Sequence, residues 1–153
     1  MNIEGRLREL GLALHDAPAP AGAYVPAVRV GNLVIVSGQL PLTGGRLLAA
    51  GPVPSKVTVE QAQEAAAQCV LNGLAALKAA LAGDLTNVRR VVRVGVFVQS
   101  DHTFADQAVV ANGASELLQK LCGDAGRHAR TAVGVNALPK GATVEVEFTF
   151  EVD

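Results

Sequence analysis

Arg130 and Glu145 are the two side chains in this sequence best suited to act on a small molecule. An arginine stays charged and offers a planar fork of N–H donors that matches a carboxylate. A glutamate can take a proton from water or return one. Thr131, Val133 and Val135 recur at alternate positions, which turns Arg130 to the opposite face of its strand. Glu145 likewise lies opposite a row formed by Val144, Val146, Phe148, Phe150 and Val152. A turn around residues 139–141 joins the two segments, so they are expected to pair as neighbours and to share the sheet face that carries no helix. Two roles are open on this spacing. One is an ion pair at an interface; the other is a site where Arg130 holds a ligand carboxylate and Glu145 handles a proton or water.

Other chemistries find little support. His15, His102 and His128 have no helical i, i+4 spacing and no Cys or carboxylate cluster beside them, so no metal site is expected. His128, two residues before Arg130, either borders the arginine site or is a solvated loop histidine. Cys69 and Cys122 lie far apart on apolar helical faces, without C-x-x-C spacing. Buried reduced thiols and a cytoplasmic location are the expectation. There is no phosphate-binding loop, dinucleotide fingerprint or nucleophile elbow in a fitting context.

The elements that must position these residues follow from periodicity. A short amphipathic helix is expected over residues 2–12, with Leu7, Leu10 and Leu14 on one side, then an extended linker over 16–22 in which Pro18 and Pro20 forbid helix. Residues 28–30 and 33–37 flank Gly31-Asn32, a hairpin signal. Gly44-Gly45 marks a second turn into a weak strand at 46–48. Thr58 and Gln61 form a capping box that opens a long helix. Residues 88–98 read as a strand with Val88, Val92, Val94, Val96 and Val98 on one face; Val91, Phe97 and Ala132 fall on the other side of the sheet. A second helix lies within 104–122, with Gly123 as its cap. The plan is α+β: one sheet with two helices on one face. One domain over 1–153 is expected, with 1–17 as a helical extension.

Half of the 153 residues are hydrophobic and 18% are charged, which excludes a disordered chain. A net charge of −1, 3% aromatics and no Trp argue against a dedicated nucleic-acid binder. Mean hydropathy is +0.31, high for a lone soluble subunit. Together with a sheet face that no helix covers, it points to a homo-oligomer. The uncharged stretch over 30–45 is broken by Gly31, Gly38 and Pro41, so no membrane span is expected. Glu4, Arg6, Arg8 and Glu9 in the first helix argue against a secretory signal.

Tyr24-Val25 followed by Gly31-Asn32-Leu33-Val34-Ile35-Val36-Ser37-Gly38-Gln39-Leu40-Pro41 resembles the first hairpin of the Rid family, the reactive intermediate deaminases also called YjgF-type or L-PSP proteins. Ala129-Arg130-Thr131-Ala132-Val133, then Leu138-Pro139-Lys140-Gly141 and Val144-Glu145-Val146-Glu147, is similar to that family's second signature. The resemblance covers residues 20–152. It implies a chorismate-mutase-like fold, assembled as a homotrimer around a central β-barrel with ligand clefts between subunits.

Archetypal members hydrolyse enamines and imines such as 2-aminoacrylate to 2-keto acids and ammonia, with no metal and no cofactor. By that resemblance Arg130 would clamp the substrate carboxylate and Glu145 would orient the attacking water. Tyr24 would wall the cleft, while Ser37 and the Gly38 backbone would add hydrogen bonds. Ala132 stands at the cleft where archetypal members often carry a cysteine. Asn112-Gly113-Ala114-Ser115 replaces the usual asparagine region, and Asn112 either reaches the cleft or merely starts a helix. These departures resemble a divergent branch. A non-catalytic binder of small carboxylates is the alternative function; an endoribonuclease is less favoured on charge and composition.

Overall fold

The computed structural model describes residues 1–17 and 22–153, so Pro18 and Pro20 of the expected linker lie outside the described residues. β1 (Ala27–Val30) and β2 (Leu33–Gln39) form the expected hairpin, with Gly31 at φ +60° in its two-residue turn. β3 (Leu42–Thr43) and β4 (Arg46–Leu47) make a separate small ribbon. β5 (Val88–Gln99), β6 (Ala129–Val135) and β7 (Val144–Val152) join the hairpin in one mixed sheet, in the order β1–β2–β7–β5–β6.

That order corrects one expectation. β7 lies between β2 and β5, antiparallel to both, while β6 sits at the edge, parallel to β5. β6 and β7 are therefore not neighbours. The reason lies in their side chains. β6 aligns Arg130, Ala132 and Gly134 with Val94, Val96 and Val98 of β5, so it brings no large apolar side chain to a core. β7 supplies Val144, Val146, Phe148, Phe150 and Val152, all buried, and takes a central place.

A second correction concerns β5. Its register against β7 shifts between Val88 and Arg90 and again between Val91 and Arg93. Each shift inserts one extra residue, which resets the inward face. Val91 is fully buried and Val92 only half-buried, the reverse of strict alternation. Ala132 also turns to the side expected to be its back, because it aligns with buried Val96.

α2 (Val59–Ala80) and α3 (Gln107–Cys122) cover one face of the sheet. α2 starts at the expected capping box: Thr58 N–H donates to Gln61 Oε1 at 3.0 Å and Gln61 N–H to Thr58 Oγ1 at 3.2 Å. Two glycines set how closely the layers approach. A Cβ on Gly73 would fall 2.4 Å from the Phe148 ring, and one on Gly113 would fall 2.1 Å from the Gln63 carbonyl oxygen. α1 (Ile3–Glu9) is shorter than expected and buries Ile3 and Leu7; Leu10 falls past its last turn and is 44% exposed. The outward face of the sheet carries Val28, Val30, Ile35 and Val133, each 40–62% exposed.

Candidate active site

β6 turns Arg130 toward α3 because its strand partner is Val94, whose side chain lies under the helices. Arg130 Nη1 donates to Asn112 Oδ1 at 2.9 Å and to Ser115 Oγ at 3.0 Å, and Nη2 donates to the Ala108 carbonyl at 3.2 Å. Three of the five N–H groups are thus held by one helix. Among the described residues the Nε–H and one Nη2–H have no acceptor. Asn112, Ser115, Glu116, Gln119, His128 and Arg130 line a cleft of about 430 Å³ here.

Asn112 lies within α3, lines this cleft and accepts a bond from Arg130. His128 is half-buried and borders the cleft: Nδ1 lies 2.6 Å from the Gly126 carbonyl oxygen and Nε2 3.0 Å from Ser115 Oγ. Burial, and then the Arg130 charge, hold its pKa below the usual histidine value against the Gly126 bond, which raises it. Ser115 was not among the expected site residues. Its one signal in the sequence is a hydroxyl on the inner face of an otherwise apolar helix, three residues after Asn112.

Glu145 stands elsewhere. It pairs with Phe97 of β5, on the face opposite buried Val144. Beside it the β2–β7 register breaks between Val36 and Gln39, where Ser37 and Gly38 lie. Gly38 has room only for hydrogen there, since a Cβ would sit 2.0 Å from Glu145 Oε1. Ser37 Oγ donates to the Val25 carbonyl at 2.8 Å, and Tyr24, 49% exposed, precedes it. The Glu145 carboxyl is pushed above its usual value by partial burial first and by Glu147 second. The Glu147 carboxylate accepts a bond from Arg93 at 3.2 Å.

Arg130 and Glu145 are therefore on opposite faces of the sheet, a correction to the expected shared face. Two strand spacings, about 10 Å, also separate them sideways. Ser37, Gly38 and Glu145 gather on one side, with Tyr24 next to the Val25 that Ser37 bonds, while Asn112, Ser115, His128, Arg130 and Ala132 lie on the other. Cys69 and Cys122 are free and buried, and burial pushes both thiols up, Cys122 to about 11, so neither is a ready nucleophile. Among the described residues no helix is long and apolar enough to cross a membrane.

Residues 14–152 match the sequence model of the family described as endoribonuclease L-PSP. The chain belongs to that family. One L-PSP relative, protein TCP17 of Trypanosoma cruzi, is 44% identical over 152 residues, spanning 99% of this chain and 94% of its own. Another, from Dermatophagoides farinae and named 2-iminobutanoate/2-iminopropanoate deaminase, is 31% identical over 132 residues, covering 86% of this chain and 87% of its own. A crystal structure of a protein of unknown function from Agrobacterium tumefaciens shares this L-PSP architecture with a TM-score of 0.91 at 48% identity, covering 99% of this chain and 93% of that one.

Proposed function

We propose that this L-PSP protein hydrolyses small 2-imino acids, and the enamines that equilibrate with them, to 2-keto acids and ammonia. The observation that carries the reading is the half-anchored state of Arg130. Its Nη1 is tied to α3, while Nε–H and one Nη2–H stay open on the adjacent nitrogens from which a guanidinium grips a carboxylate side-on. The deaminase name of the Dermatophagoides relative supports the same substrate class.

With Glu145 on the opposite face, the proposed site is one that a second copy of the chain completes. In a closed ring, the sheet face of one copy, with Tyr24, Ser37, Gly38 and Glu145, meets the Arg130 edge of the next. The exposed Val28, Val30, Ile35 and Val133 support such an association, and a homotrimer is the ring proposed. Ala132, on the same side of β6 as Arg130, packs against the core.

An imine carbon is already electrophilic, so most of the work is positioning. Water adds to that carbon as the C=N electron pair moves onto nitrogen. Glu145 takes the water proton and nitrogen gains one. The carbinolamine hydroxyl then passes its proton by way of Glu145 to that nitrogen, the carbonyl forms as the C–N bond breaks, and ammonia departs. A carboxyl group whose pKa is raised is better matched to this exchange near neutral pH.

Ammonia release from freshly generated 2-iminobutyrate should exceed the buffer rate, and Arg130→Ala should lower kcat/KM about 100-fold without unfolding the chain. A wild-type rate equal to buffer would overturn the reading. Saturable 2-ketobutyrate binding with no ammonia release would make this a carboxylate-binding protein instead. RNA cleavage is not proposed, because a net charge of −1 and 3% aromatics provide neither a phosphate-binding stripe nor a stacking platform.

A further inference from the structure

Ser115 and His128 form a hydrogen-bond chain behind Arg130 that the proposed hydrolysis leaves unused. The Gly126 carbonyl, 2.6 Å from His128 Nδ1, can only accept, so Nδ1 carries a proton. In the neutral ring Nε2 is then the acceptor, and the Ser115 hydroxyl, 3.0 Å away, donates to it. Ser115 Oγ in turn accepts from Arg130 Nη1 at 3.0 Å. Every donor points the same way, from guanidinium through hydroxyl to imidazole, an arrangement in which each bond strengthens the next. Protonating the ring at Nε2 would set two cationic donors on one oxygen, at most about 6 Å apart.

Other charges meet the ring from several elements. Arg127 and Arg130 flank it along the chain, and Asp124 pairs with Arg127 at 3.5 Å. Glu116 of α3 shares the cleft on the Arg130 side. Arg90 of β5 and Glu151 of β7 line a second cleft that His128 also borders. Arg130 is the charge that reaches the ring through a single hydroxyl.

We propose that carboxylate capture on Arg130 and protonation of His128 are one linked event. An anion on the open side of the guanidinium offsets the positive charge that faces the ring through Ser115, and a proton from solvent enters at Nε2. Ser115 Oγ then accepts from both Nε2–H and Nη1–H, which frees its own hydroxyl hydrogen to turn into the cleft. The proton returns to solvent when the anion leaves. The ligand class that fits is a carboxylate bearing an acceptor beside it, such as a 2-keto oxygen or a 2-imino nitrogen. This inference rests on the reading of Arg130 as a carboxylate clamp.

Calorimetric titration with 2-ketobutyrate at pH 7, in buffers of different ionisation enthalpy, reads the protons taken up on binding. The wild-type protein should take up a fraction of one proton, and its affinity should rise about threefold from pH 8 to pH 6. His128→Gln should bind with that uptake and that rise abolished. An NMR titration of the His128 ring needs no variant, and its midpoint should move up when 2-ketobutyrate is bound. A midpoint unmoved by bound ligand, or uptake in His128→Gln equal to wild type, overturns the linkage and leaves the clamp standing. Binding that Arg130→Ala does not weaken, or no binding by the wild-type protein, overturns both.

Discussion

Gly38 shows how an absent side chain can protect a reactive one. A methyl group there would lie 2.0 Å from Glu145 Oε1 and 2.9 Å from its carboxyl carbon. The carboxylate tip is the flexible partner, so it moves while the backbone stays. Gly38→Ala should therefore leave stability within about 1 kcal/mol of wild type. Ammonia release should fall about tenfold or more, because Glu145 loses its aim; an unchanged rate would remove Glu145 from the mechanism. Arg130 and Glu145 stood out in the sequence as a guanidinium and a carboxylate, each set opposite the apolar row of its strand. Ser115 did not, and His128 had two roles open. Their meaning depends on where the Gly126 carbonyl points, and no spacing of letters records that direction.

Among the elements, the crossing of α2 and α3 decides where Arg130 can be held. Gly113 passes so near Gln63 that a Cβ would meet a backbone oxygen at 2.1 Å, and Gln63 Nε2 donates to the Val109 carbonyl at 2.8 Å across the same crossing. A backbone oxygen cannot swing aside as a side chain can. Gly113→Ala should part the helices and cost about 1–3 kcal/mol, read as a lower denaturation midpoint. Asn112 is the adjacent residue, so KM for the imino acid should rise as well; a variant with wild-type stability would show that the helices have slack. Both long helices were legible from apolar residues at three- and four-residue spacing and from the Thr58–Gln61 capping box. The β5 register was not, because a bulge depends on the partner strand. Neither was the separation of β6 from β7: the turn at residues 139–141 suggested a hairpin, whereas the bulk of the β7 side chains took the central place.

For the whole molecule, the α+β plan with helices on one face was readable from the order and period of its segments. The placing of Arg130 and Glu145 was not, since it needed strand order as well as side-chain parity. Their position on opposite sides of one sheet has a genetic consequence. Each copy would offer its arginine to one neighbour and its glutamate to the other, so every junction draws on two different chains. Equal amounts of Arg130→Ala and of Glu145→Gln should each show on the order of 1% of wild-type turnover or less alone. Unfolded together and reassembled at random, they should recover about one quarter of wild-type turnover, because that share of junctions unites an intact arginine with an intact glutamate. Persistent silence after proven subunit exchange would break the shared-site reading. Recovery would mean that two faulty versions of this chain can complement one another where neither suffices.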